Sequence, residues 1–224
     1  MSRFTGKTVI VTGVSRGIGQ AIALGFVREG AHVVGIGPGD SAATAELAAG
    51  LDGAFTPLRA DFATLDQAAA RELVARVVGL TGRLNVLVNN AGIGHTIAIE
   101  DESLERFREV MEVNTTAVWH LAKLCGEHMV AQKSGAIVNV ASILGLVGST
   151  PIKQANYAAS KAALIGLTRS AAVDLGSANV NVNAVAPGFV RTEMVGTLPR
   201  DVLDKAEKRS ALGRMAEPED VAHV

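Results

Sequence analysis

A tyrosine and a lysine four residues apart, Tyr157 and Lys161, form the pair in this chain whose types and spacing point most directly to a chemistry. On a helix, positions i and i+4 share a face, so both side chains can converge on one bound molecule. A free phenol titrates near pH ~10, too high for efficient proton transfer near neutrality, and a neighbouring ammonium lowers that value by favouring the phenolate. The pair therefore predicts a tyrosine acid/base activated by Lys161. Tyr157 is also the only tyrosine in the chain. The competing reading is an amphipathic surface pair, with apolar bodies on the helix and polar tips in water.

A second candidate lies near the N-terminus, in Thr12-Gly13-Val14-Ser15-Arg16-Gly17-Ile18-Gly19. Missing Cβ atoms there let the backbone approach a pyrophosphate, and a following helix would offer its free N-terminal amides to the anion. The alternative is a tight strand-to-helix turn chosen for packing alone. Metal chemistry has no comparable signal: His32, His95, His120, His128 and His223 are scattered without ligand spacing, so no metal is expected. His95 follows Gly92-Ile93-Gly94 in a loop predicted to border a pocket, where it would touch substrate.

These residues need a scaffold, and the hydrophobic pattern supplies one. Short β-branched apolar runs at 8–12, 32–36, 54–58, 84–89, 136–140 and 180–186 alternate with stretches of helical period at 17–29, 41–49, 64–80, 103–132 and 156–176. Six strands with helical crossovers predict an α/β fold, a single Rossmann-type doubly wound parallel sheet flanked by helices on both faces. Thr64-Leu65-Asp66-Gln67 has the form of a capping box and predicts the start of the third helix. No internal repeat or linker interrupts the pattern, so residues 1–224 read as one dinucleotide-binding and catalytic domain.

Composition excludes other classes. Hydrophobic residues make up 48% and aromatics 4%, so the apolar mass is Ala, Val, Leu and Ile, the material of buried parallel strands. A net charge of -1, without long runs of either sign, gives no footprint for nucleic acid or an anionic membrane. No apolar run is long enough to cross a bilayer, and the N-terminus lacks a signal-peptide layout. With Cys125 as the only cysteine, no intrachain disulfide is possible, and a cytoplasmic location is expected.

Read in order, the motifs resemble the short-chain dehydrogenase/reductase family. The likeness runs from Gly-x-x-x-Gly-x-Gly at Gly13 to Gly19, through Asn89-Asn90-Ala91-Gly92, Asn114 and Ser142, to Tyr157-Ala158-Ala159-Ser160-Lys161 and Pro187-Gly188. It implies hydride transfer between NAD(P)(H) and a carbonyl or alcohol carbon. It implies a tetrad of Asn114, Ser142, Tyr157 and Lys161, with Ser142 holding the substrate oxygen, Lys161 bonding the nicotinamide ribose and Asn114 assisting a water relay. Gly13, Ser15, Arg16, Gly17, Ile18, Gly19, Asn89, Ala91, Gly92, Pro187 and Gly188 would shape the cofactor cleft. Asp61 would lie by the adenine, and Val190 with Thr192 would meet the nicotinamide amide. On side-chain chemistry alone, Asp61 could instead cap the next turn and Asn89 satisfy loop backbone.

The choice of dinucleotide turns on the end of the second strand, where a carboxylate would select the ribose 2′-hydroxyl and a cation the 2′-phosphate. Gly37 stands there, Asp40 comes later in a loop, and Arg16 could pair with a phosphate or stay solvated, so the balance tips slightly to NADP. Substrate-facing candidates are His95, 143–146, Ile152 and 194–214, with Ile143, Leu144, Leu146 and Val147 as an apolar wall and Lys153 and Gln154 as polar contacts. Gln154-Ala155-Asn156-Tyr157 is similar to 3-oxoacyl-carrier-protein reductases, whereas Val33-Val34-Gly35-Ile36-Gly37 is similar to sugar-acid dehydrogenases. The family continues past a helix start at 218–222 with the rest of that helix and a final strand, so the chain is expected to lack both. A homo-tetramer or homo-dimer is expected from the small and apolar helices at 103–132 and 156–176. The alternative function is a catalytically silent dinucleotide-binding regulatory or scaffold protein.

Overall fold

A computed structural model describes residues 2–39, 42–51, 53–148, 152–196 and 198–224, without the Met194 side chain. Asp40, the first residue of the expected 41–49 helix and Thr197 of the expected substrate segment lie outside the described residues. Six strands, β1 (Thr8–Thr12), β2 (His32–Gly37), β3 (Phe55–Arg59), β4 (Val86–Asn89), β5 (Gly135–Val140) and β6 (Val180–Val185), form one parallel sheet in the order β3-β2-β1-β4-β5-β6. The order reverses between β1 and β4, and in open α/β sheets such a switch point opens a crevice at the carboxyl ends of the strands.

Alternation along the buried strands sorts side chains to two faces. Ile10, Ile36, Leu87 and Ile137 pack against α3 (Gln67–Thr81) and α5 (Ala117–Gln132) through Val77, Leu121 and Leu124. Val9, Val11, Val33 and Val88 pack on the other face against Ile22 of α1 (Gly17–Arg28) and Leu47 of α2 (Ala42–Gly50). Cys125 is fully enclosed in the first of these cores, and burial pushes its thiol far above its usual range, which leaves it unreactive.

Three elements differ from expectation by more than one residue, each for a local reason. The third helix starts at Gln67 because Asp66, not Thr64, caps it: the Asp66 carboxylate accepts from Ala69 N at 2.8 Å, while the Thr64 hydroxyl closes a preceding turn on Asp61 O. Gln67, as the first helical residue, stands at N1 rather than the N3 position the expected box requires. The fourth strand begins at Val86 rather than 84, since Leu84 N and O are both taken by the Gln132 side chain. The single helix expected over 103–132 is interrupted. Helix α4 (Leu104–Met111), capped by Ser103, passes into a π-turn at Glu112–Thr116 before α5 continues. The extra residue in that turn sets Asn114 off the regular helical rows.

Helix α6 (Ala155–Gly176) carries Tyr157 and Lys161 beneath β5 and β6, and short helices α7 (Glu193–Gly196) and α8 (Arg200–Arg209) follow β6. The expected helix start at Pro218 is present as α9 (Pro218–Ala222), with Glu217 and Asp220 forming a capping box and Pro218 in its first turn.

Candidate active site

A cleft of about 440 Å³ lies over the switch point. Of the sixteen residues expected at the cofactor, fifteen line it, brought together by the loops after β1, β3, β4, β5 and β6: Gly13, Ser15, Arg16, Gly17, Ile18, Gly19, Asp61, Ala91, Gly92, Tyr157, Lys161, Pro187, Gly188, Val190 and Thr192.

 Ser142 completes the wall beside them. Asn89 does not reach the cleft. It is buried in β4, where its Nδ2 donates to Asn139 Oδ1 at 2.9 Å and its own Oδ1 finds no partner among the described residues.

The next residue, Asn90, does the work that sequence reasoning gave to its neighbour. Its Nδ2 donates to the carbonyls of Thr12 (2.9 Å) and Gly13 (3.1 Å), while the Thr12 hydroxyl accepts from the amides of Asn90 and Ala91, both at 3.0 Å. These bonds latch the glycine turn to the loop after β4. The fit is close: a Cβ on Gly19 would stand 2.0 Å from Gly13 O and 2.5 Å from Asn90 Nδ2. Gly13 and Gly17 also hold φ of 72° and 57°, the left-handed region that favours glycine. Gly19→Ala is therefore expected to force the turn apart, at an overpacking cost of about 1–3 kcal/mol. Thermal unfolding followed by circular dichroism should show the lowered Tm, and titration with reduced cofactor should show weakened binding.

The Asp61 carboxylate accepts from Ala63 N at 3.0 Å, so it closes the turn after β3 as well as lining the cleft. Arg16 reaches across the opening to Glu193 of α7, Nη1 to Oε2 at 2.7 Å.

Deeper in the cleft, Ser142 Oγ accepts from Leu144 N at 3.1 Å, which directs its proton elsewhere, and it hydrogen-bonds the Tyr157 phenol. Lys161 is almost fully enclosed, and its Nζ donates to Val140 O at 2.7 Å and lies 5.6 Å from the centroid of the Tyr157 ring. The expectation that Lys161 lowers the Tyr157 pKa does not hold in this structure. Burial dominates and raises the phenol above its ordinary value, with the Ser142 hydrogen bond pulling the other way, and burial also pushes Lys161 down to about 8. The Tyr157 ring rests on the backbone of Gly94, where an added Cβ would come within 2.8 Å of it.

Asn114 is fully buried and behind the cleft wall. Its Oδ1 accepts from Ile93 N, and its Nδ2 donates to Ile93 O and to Ser160 Oγ, all at 2.8–2.9 Å. Ser160 in turn donates to Tyr157 O at 2.8 Å. The π-turn is thus tied through Asn114 and Ser160 to the first turn of α6. Ser160 stands inside the motif that singled out Tyr157, but only the fold shows what it touches. Asn156 was missed as well: fully buried, it donates to Glu102 and to His95 O and accepts from Tyr157 N.

A second cavity of about 450 Å³ shares Gly188 with the first. Of the expected apolar wall, Ile143, Leu144 and Val147 line it beside Ile152, Leu212 and Met215, whereas Leu146 does not. His95 lies outside both cavities, with Nε2 at 3.4 Å from the carboxylate of Glu109, which lines the first. Lys153 pairs with Glu100 at 3.6 Å, and Gln154 donates to Thr96.

The cleft suits a dinucleotide. Helix α1 begins in it without a side-chain cap or an acid in its first turn, so its free amides are open to an anion. At Gly92 an added Cβ would sit 3.3 Å from both Lys161 Nζ and Asn114 Oδ1, and at Gly188 nothing lies within 4 Å, so bare backbone keeps the way to Lys161 clear. Among the described residues no cluster of His, Cys, Asp and Glu fits a metal ion, and no helix is long and apolar enough to cross a membrane.

Residues 7–203 match the family model for short chain dehydrogenases. The chain is 39% identical over 224 residues to a 3-oxoacyl-acyl-carrier-protein reductase of Thermotoga maritima, covering 99% of this chain and 89% of that one. It is 37% identical over 223 residues to a meso-2,3-butanediol dehydrogenase of Serratia marcescens, covering 99% and 86%. Among solved structures, a protein of Beutenbergia cavernae assigned as an NAD(P)-dependent gluconate 5-dehydrogenase, with NADP bound at low occupancy, superposes with a TM-score of 0.88 at 41% identity, covering 97% and 87%.

Proposed function

The chain belongs to the short chain dehydrogenase family, NAD(P)-dependent oxidoreductases of alcohol and carbonyl groups, and from that premise we propose that it interconverts a secondary alcohol and a ketone with Tyr157 as the proton-transfer residue. The observation that carries this reading is the meeting of Ser142, Tyr157 and Lys161 with the glycine turn in one cleft. A nicotinamide held in this cleft would supply the hydride in reduction and accept it in oxidation. Ser142, its hydroxyl steered by Leu144 N, holds the substrate oxygen against the Tyr157 phenol. A phenol whose pKa is raised keeps its proton through neutral pH and can give it to that oxygen as the carbonyl is reduced; in oxidation it takes the proton back.

Lys161 contributes a buried ammonium 5.6 Å from the Tyr157 ring centroid and would hold the nicotinamide ribose. Asn114 is a positioning residue in this reading, since its carboxamide is committed to Ile93 and Ser160 and it reaches the proton path through them. Tyr157, Lys161, the turn at Gly13 to Gly19, Ser15, Arg16, Asp61, Ala91, Gly92, Pro187, Gly188, Val190 and Thr192 would hold the dinucleotide. NADP is favoured over NAD because β2 ends on Gly37 without a carboxylate, and the Beutenbergia relative carries NADP.

Substrates of two classes fit the relatives: 3-oxoacyl thioesters and sugars or sugar acids. A homo-oligomer, dimer or tetramer, is supported by Trp119 and Val173, 44% and 81% exposed on α5 and α6, which a second copy would cover. A cytoplasmic location is supported by the lone, enclosed Cys125. The test is a substrate screen with NADH and NADPH in parallel over simple ketones, keto sugar acids and 3-oxoacyl thioesters. Turnover of at least one carbonyl is expected. Cofactor binding without turnover of any of them would favour the silent regulatory reading instead.

A further inference from the structure

Selection between the two dinucleotides is decided where β2 ends, because a carboxylate there takes the ribose 2′-hydroxyl and a cation takes the 2′-phosphate. In this chain β2 ends on Gly37, and the space a side chain would fill is open. The neighbouring edge strand β3 supplies what β2 lacks: Arg59, its last residue, is paired in register with Gly37. The exposed Arg59 side chain reaches the rim of the cleft without lining it: its Nε donates at 3.2 Å to the carbonyl of Pro38, which lines the cleft together with Asp61, Phe62 and Ala63. That bond fixes the plane of the guanidinium while committing only one of its five N–H donors. No carboxylate among the described residues is within ion-pair distance of the remaining four. Arg16, the cation singled out from the sequence, differs on this point, since it is already held by Glu193 at 2.7 Å.

We propose that Arg59 is the cofactor-selecting residue of this chain, its guanidinium taking the 2′-phosphate of NADP from β3, the strand beside the one that ordinarily carries the selector. The inference rests on the oxidoreductase reading above and adds to it the residue that sets the cofactor. A planar fork held at one nitrogen is preorganised for a phosphate and loses little freedom on binding it.

The experiment is direct binding, read from the fluorescence of the reduced nicotinamide, for NADPH and NADH on the full chain and on its Arg59→Gln, Arg59→Lys and Arg16→Gln variants. Arg59→Gln is expected to raise the Kd of NADPH roughly 10- to 100-fold, the size of a charge-assisted hydrogen bond to phosphate, and to leave that of NADH unchanged. Arg59→Lys should recover part of the loss. Displacement of NADPH isolates the phosphate: 2′,5′-ADP should compete better than 5′-AMP on the native chain and lose that advantage in Arg59→Gln. Equal weakening of NADPH and NADH, unchanged NADPH binding, or selectivity lost in Arg16→Gln and kept in Arg59→Gln would each overturn the assignment. A native chain that binds NADH as tightly as NADPH overturns it too, with the oxidoreductase reading intact. Failure to bind either dinucleotide would overturn that reading first and this one with it.

Discussion

Replacing Tyr157 with phenylalanine is expected to lower kcat/KM by roughly 10²–10⁴-fold, the usual contribution of a placed acid/base, while the Kd of the reduced cofactor stays unchanged. The two effects separate because the variant keeps the ring that rests on Gly94 and loses only the hydroxyl that meets Ser142. Fold and cleft should survive, so the near-native Tm of the variant is part of the expected result. The pH dependence carries the same logic. Burial raises the Tyr157 pKa, so the proton-donating form persists through neutral pH and ketone reduction should not fall there for want of it. Alcohol oxidation needs the deprotonated form and should climb with pH over the same range. Steady-state kinetics of Tyr157→Phe in both directions tests this: a kcat/KM within a few-fold of the native value would remove Tyr157 from the proton path.

The succession of strands was legible in the sequence because it depends on local signals, whereas most of the cleft's walls were legible only through the family resemblance. β-branched runs bounded by turns place the strands, and a parallel sheet with right-handed crossovers brings their carboxyl ends to one edge. Fifteen of the sixteen residues that the resemblance assigned to the cofactor, from Gly13 to Thr192, line the cleft that forms at that edge. Long-range hydrogen bonds were less legible. Nothing local distinguishes Asn89 from Asn90, yet Asn89 pairs inward with Asn139 across β4 and β5 while Asn90 ties Thr12 and Gly13. The π-turn at Glu112–Thr116 was hidden for a similar reason. Its sequence keeps helical period on both sides, and the turn is held by Asn114 contacts to Ile93 and Ser160, 21 and 46 residues away. Arg59 is a third case, because its meaning depends on β2 and β3 pairing in one particular register. The Lys161 effect on Tyr157 was misread because spacing gives proximity but not burial, and burial moves both groups against ionisation.

That burial gives Lys161 a measurable cost in stability. Its pKa falls from an ordinary 10.5 to about 8, so below pH 8 both folded and unfolded chains carry the charge and only the folded one bears the desolvation. About 1.36 kcal/mol per pKa unit makes that cost on the order of 3 kcal/mol. Lys161→Met fills similar space without a charge, but it leaves Val140 O without the donor it meets at 2.7 Å, an offset of about 1 kcal/mol. The variant is therefore expected to be more stable than the native chain at pH 7, by on the order of 2 kcal/mol, and to be inactive. Between pH 8 and 10.5 the unfolded chain binds more protons at this site than the folded one, so native stability rises with pH relative to the variant. The gap should close across that window, and above it the native chain, with its hydrogen bond intact, should match or exceed the variant. Urea unfolding of both proteins at pH 7, 8, 9 and 10 measures the difference. A variant less stable at pH 7, or a gap that does not change with pH, would show that the Lys161 ammonium is not desolvated as its enclosure requires. The expected result instead marks Lys161 as a residue kept at the expense of stability, which is what a site that must hold a charge next to a phenol and a ribose demands.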